Sequence, residues 1–265
     1  MLTLVPTPIG NLEDISLRSK KALNGANVIF CEDTRVTKKL LNLLDIPLNK
    51  TFISMHSHNE NEILNKLDPD ILKTKECVYV SDAGMPGISD PGAKLIKFAQ
   101  KHNIKYTILP GPTAFSIAYV ASGFEGEFCF FGFLPHKGEK REKKLKEVIN
   151  CNKIAILYES PHRIEKLIDE LKKLIPNRKI FLAKELTKIH ETYIKAKAED
   201  ITLTNTKGEW VVVIDKGDEE KTLKLSYEDI LNLPLPIKEK AKLLSKISNQ
   251  TPKEIYTILS KNSKK

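Results

Sequence analysis

The first half of the chain alternates short apolar runs with helix-patterned stretches, and that alternation limits the fold more than any other feature. The runs are LTLV (2–5), NVIFC (27–31), TFISM (51–55), CVYVS (77–81) and YTIL (106–109). Helical spacing of apolar residues falls between them, near 15–24, 35–44, 59–67 and 91–102. Strand, helix, strand in repetition predicts a parallel α/β sheet, and such sheets bind ligands beyond the carboxyl ends of their strands.

The second half keeps the strand signal and changes its order. FCFFGFLP (128–135), KIAILYES (153–160), KIFLAKE (179–185), ETYIKAKA (191–198) and EWVVVID (209–215) read as strands, with helices at 139–150 and 161–174. The alternating ETYIKAKA, followed closely by EWVVVID, predicts antiparallel edge strands in a mixed sheet. LPGPTAF breaks the pattern between the halves. The expected organisation is an N-terminal α/β domain over 1–115, a C-terminal α/β domain over 116–218 and a basic helical tail over 219–265. In the tail, Thr251 is the expected N-cap of a helix with Pro252 at its first position.

Each strand of the first half ends in unusual loop chemistry. The connections are PTPIGN (6–11), EDTR (32–35), HSHNENE (56–62), DAGMPGISDPG (82–92) and PGPTAF (110–115). An ordinary link in an α/β unit takes about 2–6 residues, so the 82–92 loop is too long and too rich in Gly and Pro to be only a link. In a parallel sheet all five loops converge on one rim. Neither G-x-x-x-x-G-K-[ST] nor G-x-G-x-x-G after the first strand is present, which removes the two common nucleotide-phosphate cradles. A rim of backbone groups, small residues and a few carboxylates suits a ligand with an adenosine, an amino acid and little phosphate. S-adenosylmethionine is such a ligand.

In order along the chain, PTPIGNLEDIS, CEDTR, HSHNE, SDAGMPGISDPG, LPGPTAF, YESPHRIE and KELTKIHE closely resemble the ribosomal RNA small-subunit methyltransferase I family, of the tetrapyrrole methylase superfamily. The resemblance covers residues 2 to about 215 and extends in character to the tail. It implies a two-domain tetrapyrrole-methylase-like α/β fold and S-adenosylmethionine-dependent 2′-O-methylation of a cytidine ribose in the decoding region of 16S ribosomal RNA, with no metal. The expected cofactor contacts are Pro8, Ile9 and Gly10, then Asp82, Ala83, Gly84, Gly87 and Ile88. Thr113 and Ala114 are expected on the adenosine side, and Tyr158 and Ala196 from the second domain. Met85 stands where the family usually has Thr, and Thr113 where it often has Ser or Cys; neither change removes a charge.

A ribose hydroxyl is a weak acid, so methylating it calls for a nearby base or cation. Glu32, Lys184 and Glu185 are the acid–base candidates. Arg35, His56, Asn59, His162 and Arg163 are candidate substrate contacts. Capping of the following helix by Asp33 or Thr34 accounts for part of EDTR and leaves Glu32 and Arg35 for function. His56-x-His58 has no further ligand cluster beside it, so a metal site is not expected. Phe131 and Phe133 are candidates for base stacking, with core burial the expected fate of at least one.

Charge adds an RNA-sized signal. The net charge is +9. Residues 221–265 hold ten lysines against four acids, and HKGEKREKKLK (136–146) carries six basic residues against two acidic ones. Lys137 and Arg141, with Lys140, Lys143 and Lys144, are the expected backbone-directed RNA contacts near the cleft, and the substrate is expected within the 30S subunit. No apolar run reaches the ~18–20 residues of a membrane span. The N-terminus reads as a first strand and not a signal peptide, so a cytoplasmic protein is expected, as a homodimer like others of the superfamily. The four cysteines form no C-x-x-C pair and read as reduced thiols. A tetrapyrrole-precursor methyltransferase and a non-catalytic RNA-binding assembly factor are the competing functions.

Overall fold

In the computed structural model, which describes residues 1–217, 226–248 and 250–262, the apolar runs form two separate five-stranded sheets. The first contains β1 (Leu2–Leu4), β2 (Val28–Cys31), β3 (Thr51–Ser54), β4 (Cys77–Val80) and β5 (Tyr106–Ile108). Its order is β3-β2-β4-β1-β5, and every pairing is parallel. The intervening helices are α1 (Leu17–Gly25), α2 (Thr34–Leu43), α3 (Glu60–Lys66), α4 (Pro69–Thr74) and α5 (Ala93–Lys101). Strand side chains alternate between two buried layers. Val28, Phe30 and Tyr79 pack on one face of this sheet, and Ile29, Cys31, Val78 and Val80 on the other. Burial on both faces explains why these strands read as continuous apolar runs and not as alternating ones.

The second sheet follows α6 (Ala114–Ser122) and contains β6 (Phe128–Phe133), β7 (Ile154–Glu159), β8 (Lys179–Lys184), β9 (Thr192–Lys197) and β10 (Trp210–Ile214). Helix α7 (Glu139–Ile149) joins β6 to β7, and α8 (Ile164–Leu174) joins β7 to β8. The order is β6-β7-β10-β8-β9: only β6 and β7 are parallel, and β10 runs antiparallel to both of its neighbours. The expected edge pair is thus half right. β9 is an edge strand, but β10 lies at the centre, because all five of its residues are buried. Trp210, Val212 and Ile214 face a core covered by α7 and α8, while Val211 and Val213 face one that includes α6.

Residues 1–217 cluster as one compact unit, and both sheets belong to it. Helix α6 lay unread because AFSIAYVAS is apolar all round and shows no stripe. A division of the chain at 115/116 falls two residues inside this helix, whose side chains Phe115 and Ala118 belong to the core of the second sheet.

Residues 218–265 form the other unit. Its helices are α9 (Tyr227–Asn232), α10 (Ile237–Leu244) and α11 (Pro252–Asn262). Ile230, Ala241, Leu244 and Ile255 make its small core. Thr251 caps α11 as its sequence suggests: the Glu254 amide donates to Thr251 Oγ1 at 3.4 Å, and Glu254 Oε2 accepts from the Thr251 amide at 2.8 Å. Among the described residues no helix is long and apolar enough to cross a membrane.

Candidate active site

Five parallel strands put their carboxyl ends on one rim, and main-chain bonds tie the rim loops together. Thr7 and Gly84 exchange both backbone hydrogen bonds at 3.0 Å, joining the first loop to the long one. Gly84 has φ +82°, and a Cβ there would stand 3.2 Å from Ile9 Cγ2. The position therefore needs both the backbone freedom and the small size of glycine. Asp82 Oδ1 accepts from the Asp33 amide at 3.1 Å, joining the second loop to the fourth. Buried Glu60, at the start of α3, accepts from the Gly92 amide at 3.1 Å and holds the far end of the long loop.

Between this rim and the second sheet lies a cavity of about 460 Å³. The rim lines it with Ile9, Glu32, Asp82, Ala83, Gly84, Met85, Ile88, Ser89, Asp90, Thr113 and Ala114. The second sheet closes it with Phe133 of β6, with residues 158–161 at the end of β7, and with residues 209–211 at the start of β10. The volume lies in the range of small-molecule sites, roughly 300–1,000 Å³. Its walls are largely apolar and its carboxylates cluster. That arrangement fits a flat heteroaromatic group carrying positive charge nearby.

A β-bulge sets one wall. The pairing of β6 with β7 shifts register between Phe130 and Gly132, which has φ +64°. The extra residue turns the strand beyond it, so Phe133 comes opposite Tyr158, with ring centroids 5.5 Å apart. Phe133 remains 52% exposed at the cavity. Phe131 packs against the core of the second sheet, under the Lys144 ammonium at 5.0 Å. The Tyr158 hydroxyl accepts from the Phe115 amide at 3.2 Å, fixing the first turn of α6, and burial pushes this phenol up to about 12.

The acidic groups are electrostatically coupled. Burial and the neighbouring Asp82 charge raise Glu32. Burial, then the Asp33 charge, raises Asp82 against the pull of the Asp33 amide. Asp90 is pushed up to about 7 by burial, with the charges of Glu32 and Asp82 adding to it. Arg35 behaves differently. It turns back on Asp33, with Nη2 2.7 Å from Oδ2, and holds that exposed carboxyl down at about 2.

Several expected residues meet at this cavity and others do not. Ile9, Asp82, Ala83, Gly84, Ile88, Thr113, Ala114, Tyr158 and Glu32 line it. Pro8, Gly10 and Gly87 do not. Gly10 is pressed instead against residues 186–188, where a Cβ would stand 2.5 Å from Lys188 Cγ. Ala196 lies on edge strand β9 and packs on the core of the second sheet, away from the cavity, because β10 and not β9 lies next to β7 in the sheet. Lys184 and Glu185 also sit outside. The Lys184 ammonium donates to Asn205 O at 3.2 Å and lies over the Trp210 ring, while Glu185 accepts from Lys188 Nζ and the Glu209 amide. The Asn59 side chain clasps its own loop, accepting from the His56 amide and donating to Ser54 O. His56 is half-buried, with no hydrogen-bond partner for Nδ1 among the described residues, and His162 is exposed beside the cavity residues Ser160 and Pro161.

Arg141 is corrected outright. It is 1% exposed, and its guanidinium pairs with Glu170 at 2.7 Å and lies 3.6 Å from Glu159. A buried, fully committed guanidinium cannot serve as a surface contact for RNA. Arg163 completes the network, 2.7 Å from Glu159 and donating to Leu134 O. Glu159 thereby becomes a buried carboxylate on the cavity wall held by two arginines. Lys137, Lys140 and Lys143 stay exposed. Among the described residues no group of three or more His, Cys, Asp or Glu side chains is placed to hold a metal ion.

Sequence legibility failed at Asp90, Glu209 and Trp210. The DPG tripeptide and the acid at the start of EWVVVID were the available signals.

Known proteins place this geometry. The Tetrapyrrole (Corrin/Porphyrin) Methylases family matches residues 1–202. The chain is 45% identical over 266 residues to a "Ribosomal RNA small subunit methyltransferase I" of Campylobacter fetus subsp. fetus, covering 97% of this chain and 98% of the other. A protein of the same name from Helicobacter pylori (strain J99) is 41% identical, with 97% and 96% covered. In fold the chain is similar to the methyltransferase CobJ, with TM-score 0.62 at 19% identity, covering 82% of this chain and 94% of that one. A uroporphyrin-III C-methyl transferase from Thermus thermophilus, solved with S-adenyl homocysteine, gives TM-score 0.57 at 15% identity over 80% and 96% of the two chains. The chain therefore belongs to the tetrapyrrole methylases and, within them, to the ribosomal RNA small subunit methyltransferase I family.

Proposed function

We propose that this chain methylates the ribose 2′-oxygen of a cytidine in the decoding region of 16S ribosomal RNA, using S-adenosylmethionine, as a cytoplasmic homodimer acting on the 30S subunit. The observation that carries the reading is the cavity between rim and second sheet, apolar along Ile9, Ala83, Ile88, Ala114 and Val211 and acidic at Glu32, Asp82 and Asp90. The residues present fit the cofactor. Ile9, Gly84, Thr113 and Ala114 would enclose the adenosine, and the carboxylates would offset its cationic end. When bound, the sulfonium supplies an activated methyl carbon. The protein contributes position, exclusion of water and charge. Phe133, half in solvent beside Tyr158, offers a stacking face to a base splayed out of its helix. Lys137, Lys140 and Lys143 offer salt-sensitive contacts to phosphates. Exposed apolar side chains at Leu17, Val120 and Ile189 are available to a second copy.

The test uses the purified chain with tritiated S-adenosylmethionine, unmodified 30S subunits and, separately, uroporphyrinogen. Label mapping to a decoding-region cytidine ribose is the expected result. Label on the tetrapyrrole alone, or on a nucleobase, overturns the reading.

A further inference from the structure

Two aromatic rings stand on the second-sheet wall, and they are held in different ways. Tyr158 is fixed through its own side chain: the hydroxyl accepts from the Phe115 amide at 3.2 Å, and the ring meets Phe130 edge-on at 4.8 Å. Phe133 has less support. It is the last residue of β6, an edge strand bulged just before it, and it is 52% exposed. The ladder between β6 and β7 ends at the Phe133–Tyr158 pair. Pro135, two residues on, has no amide with which to extend it.

Beyond Phe133 the main chain is held by a cation. Arg163 Nη1 donates to Leu134 O at 3.1 Å, Nη2 lies 2.7 Å from Glu159 Oε1, and Nε donates to Ser160 Oγ at 3.4 Å. Glu159 Oε1 also accepts from the Ser160 amide at 2.9 Å. One guanidinium therefore ties the end of β6 to the end of β7. Its side chain is 16% exposed and that of Glu159 is fully buried, so water competes little for these bonds. All three of its nitrogens are engaged within the protein, which leaves none to hold a phosphate. The planar fork fixes distance and direction together, as a point-like ammonium does not.

Local propensity does not account for this cation. Arg163 is the N-cap residue of α8, and its side chain makes no capping bond there. Ser, Thr, Asp or Asn is favoured at that position, and a positive charge opposes the helix dipole. Neutralising Glu159 does not account for it either, because Arg141 also lies 3.6 Å from that carboxylate. A residue that breaks a local rule is expected where a site depends on it.

We propose that Arg163 is a positioning residue for the methyl acceptor: it sets the gap between Phe133 and the end of β7, the slot in which a splayed-out base stacks. This rests on the ribose-methylation reading above, with Phe133 as the stacking face. Arg163 does not touch the nucleotide. It fixes the carbonyl that follows Phe133, and through it the plane and depth of the ring. A base carried by that ring brings its ribose to the methyl carbon, and a displacement of about 1 Å at such a support can cost about 100-fold in rate.

The experiment is a double-mutant cycle in the full chain, with Arg163→Ala, Arg163→Lys, Phe133→Ala and the two double variants. It measures kcat/KM for methyl transfer to unmodified 30S subunits at saturating S-adenosylmethionine, cofactor affinity by calorimetry, and folding by circular dichroism. We expect Arg163→Ala to lose about tenfold or more in kcat/KM, and Arg163→Lys, which keeps the charge and lacks the fork, about fivefold. Cofactor affinity should stay within about threefold in both. In the Phe133→Ala background each substitution should cost less than about twofold, because the ring it positions is gone. Losses that multiply overturn the assignment, since a merely structural role is indifferent to the ring. So does a kcat/KM for Arg163→Ala within about twofold of wild type, or a loss of cofactor affinity as large as the loss of rate. If Arg163→Ala does not fold, Arg163→Lys decides alone: a kcat/KM within about twofold of wild type, or a loss undiminished without the Phe133 ring, overturns the assignment. Each of these results leaves the RNA reading standing. Wild-type transfer to uroporphyrinogen and not to RNA overturns that reading and this assignment with it.

Discussion

Replacing Arg141 with methionine keeps most of its volume and removes its charge. Two carboxylates then lose their cation. Breaking a buried pair from one side costs about 3–5 kcal/mol, because the remaining charge is stranded. Two features place this substitution at the low end. Glu159, fully buried, keeps Arg163 at 2.7 Å, and the Glu170 side chain is 25% exposed and regains some water. The expected loss is about 3 kcal/mol. For a unit the size of residues 1–217, each kcal/mol moves Tm by roughly 2–4 °C, so the shift is about 6–12 °C downward. Thermal unfolding followed by circular dichroism at neutral pH reads it directly. The loss should persist in 1 M salt (about a 3 Å Debye length), since buried pairs are screened little. Arg141→Met/Glu170→Leu should recover part of it by removing the stranded carboxylate. A Tm drop below about 2 °C for Arg141→Met would show that the network carries no stability and would refute the reasoning.

Asp90 gives a pH-dependent prediction of definite sign. Its folded-state ionisation is raised, so its contribution to stability is complete below the unfolded carboxylate range, about 4, and is lost as pH rises through about 7. Asp90→Asn should therefore unfold at a higher temperature than wild type at pH 8, and the gap should close as pH falls toward about 4, which differential scanning calorimetry across that range will show. Phe133→Ala should raise KM for RNA about tenfold, the loss of one base stack, and leave cofactor affinity unchanged in a titration. Substituting Lys137, Lys140 and Lys143 together by Ala should flatten the log–log dependence of RNA affinity on salt by about 2–3 in slope, measured by filter binding.

The first sheet was legible because burial on both faces writes an unambiguous signal: an apolar run, a helix, another run. Its rim was legible because unusual polar or Gly- and Pro-rich loops follow each strand. The same burial misled at β10. WVVVI looks alike at an edge or a centre when its flanks are short, and placing it at the edge hid Glu209, Trp210 and Val211 from the site. Sheet order is a non-local property that local pattern does not encode. Arg141 was misread for a related reason. It sits among lysines in EKREKK, and nothing local distinguishes the one cation that turns inward; its partners, Glu159 and Glu170, lie far along the chain. Asp90 was hidden by its own context, because DPG reads equally well as turn chemistry.

The rim is fastened by peptide groups: Thr7 to Gly84, Asp33 to Asp82 Oδ1, Gly92 to Glu60. Side chains appear in these fastenings mainly as acceptors of main-chain amides. A frame of this kind survives sequence drift, because most substitutions leave peptide groups where they were. The wall opposite is built from side chains, Phe133, Tyr158, Glu159 and Trp210, and can be rewritten without loosening the frame. The cavity thus has one half framed by the main chain and one half built from side chains. A main-chain frame of this kind fits an architecture still superimposable at 19% identity.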